Sequence, residues 1–159
     1  MVAEYSLSGL TSFNTNGFTL GSNAGNNQNG SPNVSWNWKA GGTPSINTDG
    51  TITSVVSANQ AAGFSIVSYT GNGTAGATVG HGFSKAPEMI WIKNRSKNSQ
   101  FAVYFGDNTD YLALTDADAR ADYAGYWNDT SPTSTVFSVG SDGDVHGASG
   151  ENVIAYCFH

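Results

Sequence analysis

The chain has 159 residues, a formal net charge of −6 at pH 7, and only 11% charged residues, against roughly 25% in an ordinary globular chain. Nucleic-acid affinity depends on clustered Lys and Arg, so the six basic residues argue against such a partner. Good helix formers are scarce and no apolar stretch reaches twenty residues, so we expect almost no helix and no membrane insertion.

Short runs of β-branched or aromatic residues, alternating with polar ones between Gly and Asn clusters, predict a chain of many strands. In the run that begins at Phe64, apolar residues alternate with serines, as in a strand with one face in water. The predicted strands are Gly17–Gly21, Asn33–Lys39, Gly63–Tyr69, Ala77–Gly80, Glu88–Asn94, Phe101–Phe105, Tyr111–Thr115, Val136–Val139 and Asn152–Phe158.

Two segments interrupt the strand pattern. Between residues 39 and 59, glycines and Pro44 mark a loop, and Asp49-Gly50 is a strong tight-turn signal between two short alternating runs, which predicts a hairpin. Residues 116–132 form the longest stretch without a strand pattern, and we expect an exposed loop there with room for one helical turn. Long loops on rigid β scaffolds are where binding usually occurs.

The loop at residues 116–132 contains the candidate ligand-binding residues. Sugar rings stack their C–H faces on aromatic rings while amides and carboxylates bind their hydroxyls, and this loop has both types of side chain. The candidate residues are Tyr123, Tyr126, Trp127, Asn128 and Asp129. The alternative is that Trp127 packs back over the core. A second aromatic pair, Trp36 and Trp38, lies on one face of a predicted strand. These two side chains either pack in the core or between subunits, or contact a ligand.

Catalytic and metal-binding patterns are weak. The chain has no G-x-S-x-G, H-E-x-x-H or Walker sequence, so we predict neither an enzyme nor a cofactor. Two clusters of acidic residues could either bind calcium or be ordinary solvated loop charges, and we predict no metal site. The first cluster is Asp116, Asp118 and Asp122, and the second is Asp142, Asp144 and Glu151. His81, between two glycines, is expected to hydrogen-bond locally, and Cys157 to be a small buried strand residue.

A near-repeat links the two ends of the chain. When residues 16–39 are aligned with residues 134–159, Phe18 matches Phe137, Trp36 matches Tyr156 and Trp38 matches Phe158. A hairpin repeated about 120 residues apart indicates either a fold that uses the motif twice or part of a longer tandem array.

The segments GFSIVSYTGNGTAGATVGHGFSKAPEMIWIKNRS, YLALT, SPTSTVFSVGSD and VIAYCFH resemble a repeat domain of uncertain function from virion-associated, tail-fibre-like proteins of tailed bacteriophages. The resemblance implies that residues 43–159 are one full repeat and that residues 1–42 are the terminal hairpin of a preceding repeat. It also implies an extracellular location in the virion.

These observations predict an all-β fold, specifically a sandwich of two antiparallel sheets that is jelly-roll or lectin-like. The leading functional hypothesis is a non-enzymatic module of a virion fibre or appendage that adheres to a host cell-surface glycan through exposed loop aromatics, with avidity from repetition. The alternative is a purely structural spacer or decoration domain that stacks on other copies or on adjacent repeats of the same virion protein.

Overall fold

The computed structural model describes residues 9–114, 117 and 119–159. The chain divides between Asn37 and Trp38 into a small amino-terminal unit and a larger unit. This division lies close to the predicted boundary between residues 42 and 43. That residues 1–42 end a preceding repeat and residues 43–159 form a full one stays a prediction.

The amino-terminal unit contains one hairpin and one short helix. Strand β1 (Leu10–Asn14) pairs antiparallel with β2 (Gly17–Leu20), and helix α1 (Ala24–Asn27) follows, with Asn23 accepting a hydrogen bond at its start. The strand predicted at residues 33–39 is wrong, because these residues form no strand. Alternating side chains favour an extended chain, but a strand also needs a partner for its backbone groups.

The larger unit is built on an eight-stranded antiparallel sheet. In chain order its strands are β3 (Ser45–Asn47), β4 (Ser54–Asn59), β5 (Phe64–Thr70), β7 (Met89–Asn94), β8 (Phe101–Phe105), β9 (Asp110–Ala113), β10 (Ala121–Asp122) and β12 (Asn152–Phe158). Their spatial order across the sheet is β10, β9, β8, β7, β12, β5, β4, β3. A separate antiparallel pair joins β6 (Ala77–Gly80) to β11 (Val136–Val139), and the two helical segments are a 3-10 turn (Gln60–Ala62) and helix α2 (Ala124–Trp127).

The hydrophobic core lies between one face of the eight-stranded sheet and the β6–β11 pair with α2. Along β12, Val153, Ala155 and Cys157 are fully buried and alternate with half-buried residues, so every second side chain points into the core. From the β6–β11 pair, Val79 and Phe137 enter the same buried cluster. The predicted burial of Cys157 is confirmed, and burial raises the pKa of its thiol.

The structure confirms the all-β prediction at the level of strands in antiparallel sheets with little helix. The hairpin predicted around Asp49-Gly50 is present as the β3–β4 pair. The predicted strands at residues 77–80, 101–105, 136–139 and 152–158 have the observed bounds. Thr115, at the end of another predicted strand, lies outside the described residues. In the described part of the chain, no helix is long and apolar enough to cross a membrane.

Candidate functional site

The aromatic loop predicted as the ligand site packs into the core. Its helical turn, α2, buries Tyr126 and Trp127, which are 4% and 1% exposed. The Trp127 ring packs edge-on against Tyr104, with ring centroids 5.6 Å apart. The expected exposure of Tyr126 and Trp127 is therefore wrong, because the apolar area of two large rings is better removed from water than left in a loop. The alternative, in which Trp127 packs back over the core, is the observed arrangement.

The other three predicted ligand residues are exposed. Tyr123 is 42% exposed, and its hydroxyl donates a hydrogen bond to Asp142 Oδ2 at 3.0 Å. Asn128 and Asp129 follow α2 in the left-handed region, with φ of 54° and 47°, and the Asn128 backbone N–H closes the helix on the Ala124 carbonyl. The structure thus groups the tyrosines and Trp127 in one cluster, and uses Asn128 and Asp129 for the turn that ends the helix.

The predicted carboxylate groups interact with neighbouring polar groups. The Tyr126 hydroxyl lies 3.4 Å from Asp144 Oδ2, and burial, followed by the nearby Asp142 charge, raises the pKa of Asp144. Glu151 Oε2 accepts from the Asn94 side chain and the Ala148 backbone N–H, both at 2.8 Å, which lowers the pKa of Glu151. Asp116 and Asp118 lie outside the described residues. Among the described residues, no three His, Cys, Asp or Glu side chains are grouped as metal ligands would be.

His81 is buried in the larger unit and follows β6 directly, beside the β6–β11 pair. Its Nδ1 accepts a hydrogen bond from the Phe83 backbone N–H, and its Nε2 lies 3.1 Å from the Thr133 carbonyl oxygen. These contacts define a neutral imidazole with its proton on Nε2. Burial lowers the pKa of His81, an effect opposed by the hydrogen bond to Thr133 and by the charge of Asp49.

This environment gives a pH prediction. Because the pKa of His81 is lowered in the folded state, its contribution to stability is complete above the unfolded-state pKa of about 6.5 and is lost as the pH falls through the folded-state pKa. We expect the free energy of unfolding to fall between pH 7.5 and 5.5, and to fall less in His81→Gln. Urea denaturation at both pH values measures this, and equal losses in the two proteins would rule out His81 as the cause.

The face of the eight-stranded sheet opposite the core is unusually apolar. We define the outer face as the outward positions of β4, β5, β12, β7 and β8, which form three rows across the sheet. The middle row is Ser57, Ile66, Tyr156, Trp91 and Val103; the rows on either side are Asn59, Phe64, Phe158, Met89 and Phe105, and Val55, Ser68, Ile154, Lys93 and Phe101. An antiparallel sheet with one solvated face normally carries polar residues there, so this composition indicates a packing surface.

An aromatic cluster occupies one end of the outer face. The Trp38 ring stacks on Phe64, with centroids 5.9 Å apart and planes 27° apart. It meets Trp91 and Phe158 edge-on, at 5.8 and 5.4 Å. Offset and edge-on pairs of this kind add about 0.5–1.5 kcal/mol each beyond area burial. The outer face therefore already binds one tryptophan, supplied by an irregular segment of the same unit.

The charge on the outer face is also unusual. Of its fifteen residues, as defined above, Lys93 is the charged one, and the face has no carboxylate. The Lys93 ammonium donates to both oxygens of Ser99, at 2.9 Å for Oγ, and lies 5.8 Å from the Phe101 ring centroid. The Lys93 charge is therefore stabilised by groups of the same chain and needs no partner from another molecule. The twelve carboxylates that give the chain its negative charge lie elsewhere in the sequence.

A family model described as "Domain of unknown function (DUF7483)" matches residues 2–159. The chain belongs to this family. The match extends across both units, so the amino-terminal hairpin is part of the family's sequence pattern. No curated protein and no solved structure matches the chain significantly.

The outer face of this DUF7483 chain was not predicted, although the sequences of two strands indicate it. In β12 and β7, the runs VIAYCF and MIWI are apolar at consecutive positions instead of alternate ones. Continuous apolar runs indicate strands with both faces covered. Tyr156 and Trp91 belong to these runs, and their register places them side by side at the centre of the outer face.

Proposed function

We propose that the chain is a non-enzymatic assembly module that packs through its outer face on a second copy of itself. The observation that carries this proposal is the aromatic outer face with Trp38 bound on it. Surfaces that combine aromatic rings with few charges are typical of the central part of protein interfaces. The stacking alternative predicted from the sequence is thereby favoured over adhesion through the loop.

The internal repeat supports this proposal. Trp38 and Phe158 occupy equivalent positions in the two aligned segments, residues 16–39 and 134–159, and their rings are in contact. Neither segment folds as the predicted hairpin, because residues 33–39 form no strand and β11 and β12 pair in different sheets, but the ends of the two segments pack side by side. In repeat proteins, each unit contacts its neighbour through such recurring surfaces, so the same face is suited to an adjacent repeat of a longer protein.

The charge distribution supports the choice of a second copy as the partner. Two chains that each carry a net charge of −6 repel one another, and like charges placed together at an interface cost several kcal/mol. The outer face is free of carboxylates at its fifteen defined positions. Two copies that meet there avoid direct contact between their negative groups.

The size of the outer face predicts a weak association. Five strands about 4.8 Å apart, each contributing about six residues of about 3.3 Å, define a surface on the order of 480 Å² in projection. Part of this surface is already covered within the chain, since Phe64, Lys93 and Val103 are 3%, 6% and 8% exposed. Stable interfaces bury about 800 Å² per partner. We therefore expect a dissociation constant in the micromolar range, about 10–500 µM, with repetition in a longer assembly raising the effective affinity.

The proposed assembly module is a two-layer, lectin-like β-sandwich of a virion appendage. The eight-stranded sheet, the β6–β11 pair and α2 supply two layers that support a lectin-like sandwich. The resemblance to phage repeat domains supports a role in a virion appendage. Glycan adhesion through the predicted loop has less support, because Tyr126 and Trp127 are buried and Tyr123 is the exposed ring of the three.

Sedimentation velocity between 10 µM and 1 mM tests the assembly proposal. In the double variant Val55→Glu/Phe105→Glu, two exposed outer-face residues become acidic; they are 44% and 64% exposed, so folding is expected to tolerate the change. We expect the wild-type chain to associate with rising concentration and the variant to associate at least about tenfold more weakly, because each interface then contains unpaired charges.

The matched control is Ala75→Glu/Asn98→Glu, which adds the same charge at exposed positions outside the outer face. It is expected to associate like the wild type. A wild-type chain that stays monomeric at 1 mM, or a control that dissociates as much as the outer-face variant, would contradict the proposal.

A further inference from the structure

A concave surface lies on the core side of edge strand β3, away from the outer face. It is a cavity of about 340 Å³, within the range of about 300–1,000 Å³ typical of small-ligand sites. One wall carries Thr43, Ser45, Asn47 and Asp49. The apolar part of the lining comes from Val56, Ala58 and Phe83.

The polar wall arises from the spacing of its residues. The four side chains occur at every second position, and alternate residues of an extended chain share one face. Ser45 pairs with Val56 across the β3–β4 ladder, so this face is the one that continues the core. A run of polar residues at core-facing positions of an edge strand leaves a polar cleft where the apolar core ends.

The groups on this wall are available to a ligand. Within the described part of the chain, the hydroxyls of Thr43 and Ser45 have no hydrogen-bond partner. Asn47 Nδ2 donates to Asp49 Oδ2 at 2.8 Å, and Asn47 Oδ1 accepts from the Asp49 backbone N–H at 3.0 Å. The Asp49 carboxylate is thereby held in place, while its Oδ1 has no hydrogen-bond partner among the described residues.

The opposite side of the cleft depends on a glycine. Gly82 adopts a φ of +77°, and a Cβ at this position would lie 2.6 Å from Val56 Cγ1. Any other residue would be strained by this backbone conformation and would crowd Val56. The cleft therefore presents a row of hydroxyl, amide and carboxylate groups above a floor that is largely closed, since Val56 and Phe83 are each 5% exposed.

We propose that this cleft, lined by Thr43, Ser45, Asn47 and Asp49, binds one ring of a neutral saccharide. A neutral sugar ring has hydroxyls that donate to the Asp49 carboxylate and exchange hydrogen bonds with the hydroxyls of Thr43 and Ser45, and it fits the mainly polar lining of the cleft. Asp49 is the charged residue of the lining, so anionic sugars are disfavoured by repulsion. This site is independent of the proposed packing through the outer face.

The test is a ¹H–¹⁵N NMR titration of the whole chain with the methyl glycosides of glucose, galactose, mannose and N-acetylglucosamine, and with glucuronate as the anionic comparison. We expect at least one neutral glycoside to shift the amide signals of residues 43–49, with a dissociation constant of about 1–10 mM, and glucuronate to shift them less.

The variant Thr43→Val/Ser45→Ala removes the two free hydroxyls from exposed positions, so it is expected to fold normally. It should weaken binding at least about tenfold through the loss of two hydrogen bonds. The control Thr48→Val alters an exposed residue of the same hairpin that does not line the cleft and should bind like the wild type. The proposal is overturned if no neutral glycoside shifts these signals at 50 mM, if shifts cluster around Tyr123 instead, or if both variants bind equally.

Discussion

Trp127→Ala is expected to lower the free energy of unfolding by about 3–5 kcal/mol, as large aromatic truncations in cores do. Trp127 is 1% exposed and packs against Tyr104 and Tyr126. Alanine would leave a cavity under α2 that the surrounding antiparallel sheet cannot fill by relaxing. For a chain of this length, such a loss lowers Tm by about 6–20 °C, which differential scanning calorimetry measures directly.

The control for this prediction is Trp127→Phe. In the described residues, the buried indole Nε1 of Trp127 has no hydrogen-bond partner, so its removal leaves no acceptor unsatisfied. Phenylalanine keeps most of the ring contact, and the variant should therefore lose clearly less stability than the alanine variant. An unchanged Tm for Trp127→Ala would contradict the buried position and return this residue to the ligand-contact hypothesis.

Gly140→Ala is expected to cost at least about 3 kcal/mol, at the upper end of overpacking effects. A Cβ on Gly140 would lie 2.2 Å from the Gly125 carbonyl oxygen and 2.6 Å from that of Ala124. These are backbone atoms of α2, which cannot rotate away as a side chain can. The helix would have to move off the core, and the 2.7 Å hydrogen bond from the Gly140 N–H to the Tyr126 carbonyl would be lost.

Gly17→Ala is the matched control for this substitution, because a Cβ there has no neighbour within 4 Å and the residue does not have a positive φ. Its effect on urea unfolding should stay within about 0.5 kcal/mol. A Gly140→Ala variant that is equally neutral would contradict the close packing of Gly140 against the carbonyl groups of α2.

Local sequence signals predicted the strands best where alternation and glycine boundaries agreed. The run from Ala77 to Gly80, which alternates and follows Gly76, has the predicted limits. Residues 33–39 show the same alternation without a pairing partner, and the pattern alone does not reveal whether a partner exists. The pairing of distant strands is decided by tertiary structure.

The candidate surfaces were harder to predict than the strands. Trp127 lies in a stretch rich in loop-forming residues, and its burial depends on a space between β9 and β11 that no local pattern specifies. Trp91 and Tyr156 are 65 positions apart in the sequence numbering, and only the register of β7 with β12 places them side by side. The polar cleft likewise requires Gly82 to meet strand β4.

The most direct test of the assembly proposal is an isotope-filtered NOE experiment on an equimolar mixture of ¹³C-labelled and unlabelled chains at 1 mM. Packing through the outer face predicts intermolecular NOEs that involve the side chains of Ile66, Trp91 and Tyr156, which form its middle row. These NOEs should disappear in Val55→Glu/Phe105→Glu. Intermolecular NOEs confined to the loop around Tyr123, or none at all at this concentration, would contradict the role of the outer face as the contact between copies.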